Sequence, residues 1–187
     1  QQTPEEQETY IEKILFNTRR LSTLTGNILL LSKINNQSIS PQSSVFRLDE
    51  QVRQAILALE RKWEEKDIQF DVDLDKITYT GYEKLLIHVW TNLIDNAIKF
   101  VPQGGSIRLR MCRQPDGILF TIDDNGPGIP PEEQERIFHK FYQSDNSREV
   151  DGNGLGLALV KQIVALSDGT IQVENLQGGG CRFTVWL

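Results

Sequence analysis

The apolar residues change period once along the chain, and that switch constrains the fold more than any other feature. Tyr10, Ile14, Asn17, Leu21, Leu24, Ile28 and Leu31 recur at alternating steps of four and three. This is the seam of a helix packed lengthwise against other helices. Ile11, Leu15, Leu29 and Leu30 widen the stripe beyond a two-strand seam, so the expected setting is a bundle in which partner helices cover it. Beyond the Asn-, Ser- and Pro-rich stretch INNQSISPQSS at 34–44 the period falls to two. Ile68, Phe70, Val72 and Leu74 alternate with polar residues, as do Ile107, Leu109 and Met111, and then Ile118, Phe120 and Ile122. These are half-buried strands. The expected domains are therefore a bundle helix within 1–36, a linker at 37–46 and a second domain at 47–187.

Helices are expected between and after these strands. Asp49 can cap one whose face carries Val52, Ile56, Leu59 and Trp63. Others fall at 83–100, 131–141 and 155–166, with strands near 170–173 and 182–187. QPDG at 114–117 supplies the turn chemistry of an antiparallel hairpin. The predicted fold class is α+β, a two-layer sandwich. Its mixed, mostly antiparallel sheet is covered by helices on one face and preceded by a long bundle-forming helix. Hydrophobic residues at 39% and charged residues at 25% can support such a core.

Charge and composition narrow the function. Twenty Lys and Arg against 26 Asp and Glu give a net charge of −6, which argues against a basic nucleic-acid-binding domain. Two cysteines, Cys112 and Cys181, are too few for a disulfide framework or a thiolate metal cluster and fit a reducing, cytoplasmic compartment. The start, QQTPEEQETY, is polar rather than signal-like, and no apolar run approaches the roughly 20 residues that span a bilayer.

Four segments carry chemistry. In NLIDNAIKF, 92–100, a helix places Asn92, Asn96 and Lys99 on one face and turns Leu93, Ile94, Ala97 and Ile98 to the core. Amide oxygens suit a magnesium site completed by phosphate and water, and Lys99 could neutralise phosphate; a solvated helix face would look the same. In DDNGPGI, 123–129, Gly126 and Gly128 permit close backbone approach and Asp124 could accept a hydrogen bond from an exocyclic amine, although ordinary turns use these residue types too. In IFHKFYQ, 137–143, Phe138, Phe141 and Tyr142 are either plain core or anchors for the polar segment that follows, in which 144–153 read as flexible. GNGLGL, 152–157, opens a helix with glycines and forms an anion site. It fits neither a Rossmann fingerprint nor a G-x-x-x-x-G-K-[ST] loop.

In this order and spacing, the four segments resemble the N box, first glycine box, F box and second glycine box of bacterial sensor histidine kinases. Their ATP-binding domain belongs to the gyrase/chaperone/kinase superfamily, whose Bergerat-type fold the resemblance implies here. The resemblance implies that Asn96 ligates Mg2+, that Asn92 and Lys99 approach the phosphates of ATP, and that Asp124 binds the adenine amino group. It implies that Gly126, Gly128, Ile129, Phe138, Tyr142, Gly152, Gly154, Leu155, Gly156 and Leu157 form the pocket and its lid, and that Arg148 reaches the phosphates. ILLLSKI, 28–34, resembles the end of the second helix of the dimerisation and phosphotransfer hairpin. The phosphoacceptor His-Glu pair is then expected on a first hairpin helix upstream of this chain, since neither His88 nor His139 sits in such a setting. Such a chain binds Mg-ATP without phosphorylating itself. The implied partners are a response regulator receiver domain and a second copy in a homodimeric bundle, with membrane contact only through a region N-terminal to this chain. An anti-sigma-type serine kinase, a kinase-dead binding module and a gyrase-like ATPase share the pocket. The last is disfavoured because Asn92 stands where those enzymes place a Glu. Tyr82, Asp151, Ser167 and Asp168 depart from the kinase pattern without removing an expected ligand.

Overall fold

The computed structural model describes residues 4–36, 42–144 and 152–187, which divide into two units, Gln1–Ile39 and Ser40–Leu187. The first is a single helix, α1 (Pro4–Asn35). A proline in the first turn removes only an N–H that would lack an intrahelical partner. The polar residues that interrupt its apolar surface bond within the helix. The Asn17 amide, the Thr18 hydroxyl and the Thr25 hydroxyl donate to the carbonyls of Lys13, Ile14 and Leu21 at 2.9, 2.8 and 2.9 Å. Tyr10, Ile11, Ile14, Leu15, Leu21, Ile28 and Leu29 are exposed.

The second unit runs β1 (Ser44–Arg47), α2 (Leu48–Leu57), α3 (Glu60–Glu65), β2 (Gln69–Leu74), β3 (Thr78–Gly81), α4 (Glu83–Phe100), β4 (Ser106–Gln114), β5 (Gly117–Asp124), α5 (Gly156–Leu166), β6 (Thr170–Asn175) and β7 (Cys181–Trp186). Five strands form one sheet in the order β2-β4-β5-β7-β6. Only β2 and β4 are parallel. Alternation buries Ile107, Leu109, Met111, Ile118, Phe120, Ile122, Phe183 and Val185. The opposite face of the sheet carries ion pairs such as Arg110 with Asp71 at 2.6 Å. The sheet is thus apolar toward α4 and α5 and polar on the other side, as the two-layer expectation requires.

Trp90 of α4 ties the layers together. Its ring lies 4.8 Å from that of Phe120 on β5, and its indole N–H donates to Gln51 Oε1 of α2 at 2.9 Å. Gln51 in turn donates to the Glu83 carbonyl at 2.8 Å. At the other end of α4 the Lys66 ammonium donates to the carbonyls of Ile98, Lys99 and Val101 at 2.9, 2.9 and 3.0 Å. These are carbonyls that a helix end leaves unpaired, and a cation there complements the helix dipole. Tyr82 supplies no side-chain cap to α4, as its residue type predicts.

Four local features differ from the sequence-based expectation. The one helix expected to carry Val52, Ile56, Leu59 and Trp63 is divided at Ala58 and Leu59 into α2 and α3. The ordered sheet structure begins at Ser44, within the stretch read as linker, because β1 pairs antiparallel with β3 and Phe46 meets Tyr79 edge-on at 5.9 Å. Asp49 does not cap a helix. It is buried in the first turn of α2, where the Arg47 guanidinium holds its carboxyl below the usual range. The Ile77 N–H also donates to it, at 3.2 Å. The helix expected at 131–141 is instead two short 3-10 turns, Pro131–Glu133 and Arg136–Phe138. The chain there follows its anchors: the Phe141 N–H bonds to the Gly154 carbonyl at 2.8 Å rather than to a carbonyl one helical turn back.

Candidate functional site

The polar face of α4 is the floor of the site. Eight apolar residues of this helix are buried, which leaves Asn92, Asn96 and Lys99 half-buried on another face. The Asn92 amide donates to the His88 carbonyl at 2.7 Å, leaving its Oδ1 turned to the start of α5. A Cβ on Gly156 would lie 2.6 Å from that oxygen. Glycine is therefore required for the first turn of α5 to close on Asn92. Lys99 pairs with Asp95 at 2.6 Å, and Lys62 pairs with the other oxygen at 2.5 Å. Burial pulls the Asp95 carboxyl up, but Lys99 and Lys62 more than offset it and keep it ionised. Lys99 is thus held beside the amide row by a carboxylate neighbour. The Asn96 side chain makes no hydrogen bond to another described residue.

The loop after β5 forms one wall. Strand alternation sends Asp124 to the helix side with Ile122 and sends Asp123 to the opposite face, where Arg182 grips it through two bonds of 2.7 Å. Asp124 is only 7% exposed. Its Oδ1 accepts the Gly126 N–H at 2.9 Å and its Oδ2 accepts the Cys181 thiol at 3.0 Å. A Cβ on Gly126 would crowd Asp124 Oδ1 at 2.9 Å and the Phe100 carbonyl, at the end of α4, at 3.0 Å. Farther along the loop, Asn175 clamps Ile129 in both directions: its Oδ1 accepts the Ile129 N–H and its Nδ2 donates to the Ile129 carbonyl, each at 2.8 Å. Sequence reasoning singled out neither Asn175 nor Cys181 for the site. Both sit at strand ends outside the four motifs, and only the hairpin register brings them here.

The aromatic segment and the glycine-rich loop form the other wall. Phe138 meets Phe183 of β7 edge-on at 6.4 Å, with the Lys161 ammonium 5.6 Å from its ring centre. The Arg136 guanidinium lies 4.8 Å from the Tyr142 ring centre. These contacts make Phe138 a packing anchor for the segment. Gly154 adopts φ +65°, and a Cβ there would lie 2.7 Å from backbone atoms of Phe141 and Tyr142. Gln143 donates to the Gly152 carbonyl at 2.7 Å, and Asn153 Oδ1 accepts the Leu155 N–H at 3.1 Å. Leu155 is buried and Leu157 half-buried. No side chain caps α5, so the N–H groups of its first turn remain available to an anion beside Asn92. Arg148 and Asp151 lie outside the described residues.

The structure thus brings Asn92 to Gly156, Gly126 to Asp124 and the end of α4, and Gly154 to Phe141. His88 and His139 are exposed. Among the described residues no cluster of His, Cys, Asp and Glu could hold a metal. Amide oxygens such as those of Asn92 and Asn96 are of the kind that suits a magnesium ion arriving with phosphates.

Comparison with known proteins places the chain in a family. Residues 81–187 match the model of the histidine kinase-, DNA gyrase B- and HSP90-like ATPases. The chain is 38% identical over 183 residues to the heme sensor protein HssS of Staphylococcus saprophyticus, covering 98% of this chain and 39% of that one. Among solved structures it resembles full-length ShkA in complex with AMPPNP, with TM-score 0.83, 26% identity, and coverage of 99% of this chain and 39% of that one. It also resembles histidine kinase ThkA in complex with response regulator TrrA, with TM-score 0.78, 25% identity, and coverage of 99% and 52%. The chain belongs to the histidine kinase-, DNA gyrase B- and HSP90-like ATPase family. It spans less than half the length of the curated relatives it matches.

Proposed function

We propose that this chain is the ATP-binding catalytic region of a two-component sensor histidine kinase. It holds Mg-ATP for transfer of the γ-phosphoryl group to a histidine on the dimerisation hairpin, from which it passes to an aspartate of a response regulator. The observation that carries this reading is the closure of the uncapped start of α5 on Asn92 through Gly156. It sets free backbone N–H groups beside an amide row, and Asp124 lies buried at the end of β5.

Each residue then has a role. Asp124 accepts from the adenine amino group, and Gly126, Gly128 and Ile129 shape the loop against the ring. Asn96 ligates magnesium. Asn92, Lys99 and the first turn of α5 hold phosphate oxygens, with Gly152, Gly154, Leu155 and Leu157 forming the rim, and Phe138 and Tyr142 anchoring it. Magnesium, when bound, neutralises phosphate charge as it shifts in transfer. Asn92 cannot act as a general base at neutral pH, so the site lacks a group to activate water there and favours positioning over hydrolysis. The AMPPNP in ShkA supports the nucleotide, and the TrrA bound to ThkA supports a response regulator partner. The exposed apolar residues of α1 support a homodimeric bundle. No helix among the described residues is long and apolar enough to cross a membrane.

Calorimetric titration tests the binding step. ATP affinity should rise by about tenfold or more when magnesium replaces EDTA, one metal-mediated phosphate contact being worth at least about 1.4 kcal/mol. Affinity indifferent to magnesium, or no nucleotide binding, would remove the Asn96 assignment.

A further inference from the structure

The β6–β7 hairpin contributes two side chains to the loop after β5, and both come from one rung. Asn175 and Cys181 are directly paired at the end of the ladder, so their side chains share a face. Asn175 fixes the far end of the loop by its two bonds to Ile129. The Cys181 thiol reaches Asp124 Oδ2 at 3.0 Å. The connecting turn makes this reach possible: Gly178, Gly179 and Gly180 have φ of +103°, +106° and +85°. A Cβ on Gly180 would overlap the Asp124 carbonyl oxygen.

We propose that Cys181 is a positioning residue of the purine site, whose thiol fixes the orientation of the Asp124 carboxylate and thereby sets the preference for a 6-amino purine. The inference rests on the proposed contact between Asp124 and adenine. A carboxylate at a strand end rotates broadly about its last torsion. Here separate donors hold its two oxygens, the Gly126 N–H on Oδ1 and the Cys181 S–H on Oδ2. Each oxygen keeps a second lone pair, which leaves an acceptor for an exocyclic amine in a defined direction. Burial, and then the Asp124 charge, push the Cys181 thiol far up. The sulfur therefore stays protonated as a donor and is a poor nucleophile. Deleting it frees the carboxylate to turn and leaves Oδ2 without its donor in a site open to little water.

The test compares Mg-ATP with magnesium purine riboside triphosphate, which lacks only the 6-amino group, on wild type, Cys181→Ala, Cys181→Val and Cys181→Ser. Wild type should prefer ATP by about tenfold or more, the scale of one hydrogen bond to a charged acceptor. Cys181→Ala should bring that preference within about twofold while binding of the analogue changes little. Cys181→Val, which refills the space with an apolar branched side chain but has no donor, should behave like Cys181→Ala, and Cys181→Ser should retain the preference. Equal loss for both nucleotides, a preference that survives Ala or Val, or a folded Cys181→Ser without preference would each overturn the role of the thiol. A wild type that binds both nucleotides equally would instead overturn the Asp124–adenine contact, and this inference with it.

Discussion

Asp124→Ala is expected to lower Mg-ATP affinity by about a hundredfold while leaving the fold intact. The expected loss is large because three groups lose their acceptor together: the adenine amine, the Gly126 N–H and the Cys181 thiol. A site built to pair a polar group discriminates strongly when a partner is removed, because the buried groups left behind stay unpaired. The substitution leaves the strand pairings of Asp123 and Ile122 on β5 in place, so far-UV circular dichroism should not change. Asp124→Asn separates charge from shape. It keeps the volume but replaces one acceptor oxygen with an NH2 that faces a donor, so it should also bind ATP poorly. Affinity within about threefold of wild type for both variants, read by calorimetry, would contradict the assignment of Asp124 to adenine.

The largest stability effect is expected at Trp90, which is fully buried. Trp90→Ala should cost about 3–5 kcal/mol in urea unfolding, the usual range for emptying a large aromatic from a core. Two structural losses add to the cavity. The Phe120 ring loses its neighbour at 4.8 Å, and Gln51 Oε1 loses its buried donor. Domains of this size typically hold only about 5–15 kcal/mol of net stability, so this single change could remove a large fraction of it. Because α4 carries Asn92 and Asn96, nucleotide affinity should fall in proportion to the unfolded fraction and recover under conditions that restore folding. A cost below about 1 kcal/mol would mean that α4 is not fastened to β5 through this ring.

Legibility of the fold in the sequence followed the strength of each local signal. The alternating runs at Ile107–Met111 and Ile118–Ile122, with turn residues between them, specify β4, β5 and their hairpin, and the structure has both. The helix periodicity of 83–100 likewise matches α4. Strand β1, by contrast, has four residues and gains its order from Phe46 meeting Tyr79 across β3, a contact between residues 33 positions apart that no local pattern announces. Asp49 carried a capping signal, but Arg47 and Ile77 claimed its carboxylate. Local propensity was overridden by tertiary partners in both cases. At the site, Asn92, Asp124 and the glycines were singled out through the order and spacing of four segments that together resemble one family pattern, since each segment alone reads equally as a plain turn or a solvated helix face. Asn175 and Cys181 were not, since their meaning depends on which loop the β6–β7 hairpin abuts.

Transfer of phosphate to histidine is tested most directly by joining this chain to a helical hairpin that carries a His-Glu pair and incubating it with magnesium and ATP labelled at the γ-phosphate. Label is expected on the hairpin histidine, labile to acid and stable to base, and none on His88 or His139. Acid-stable phosphoserine, or release of free phosphate with no labelled histidine, would contradict it.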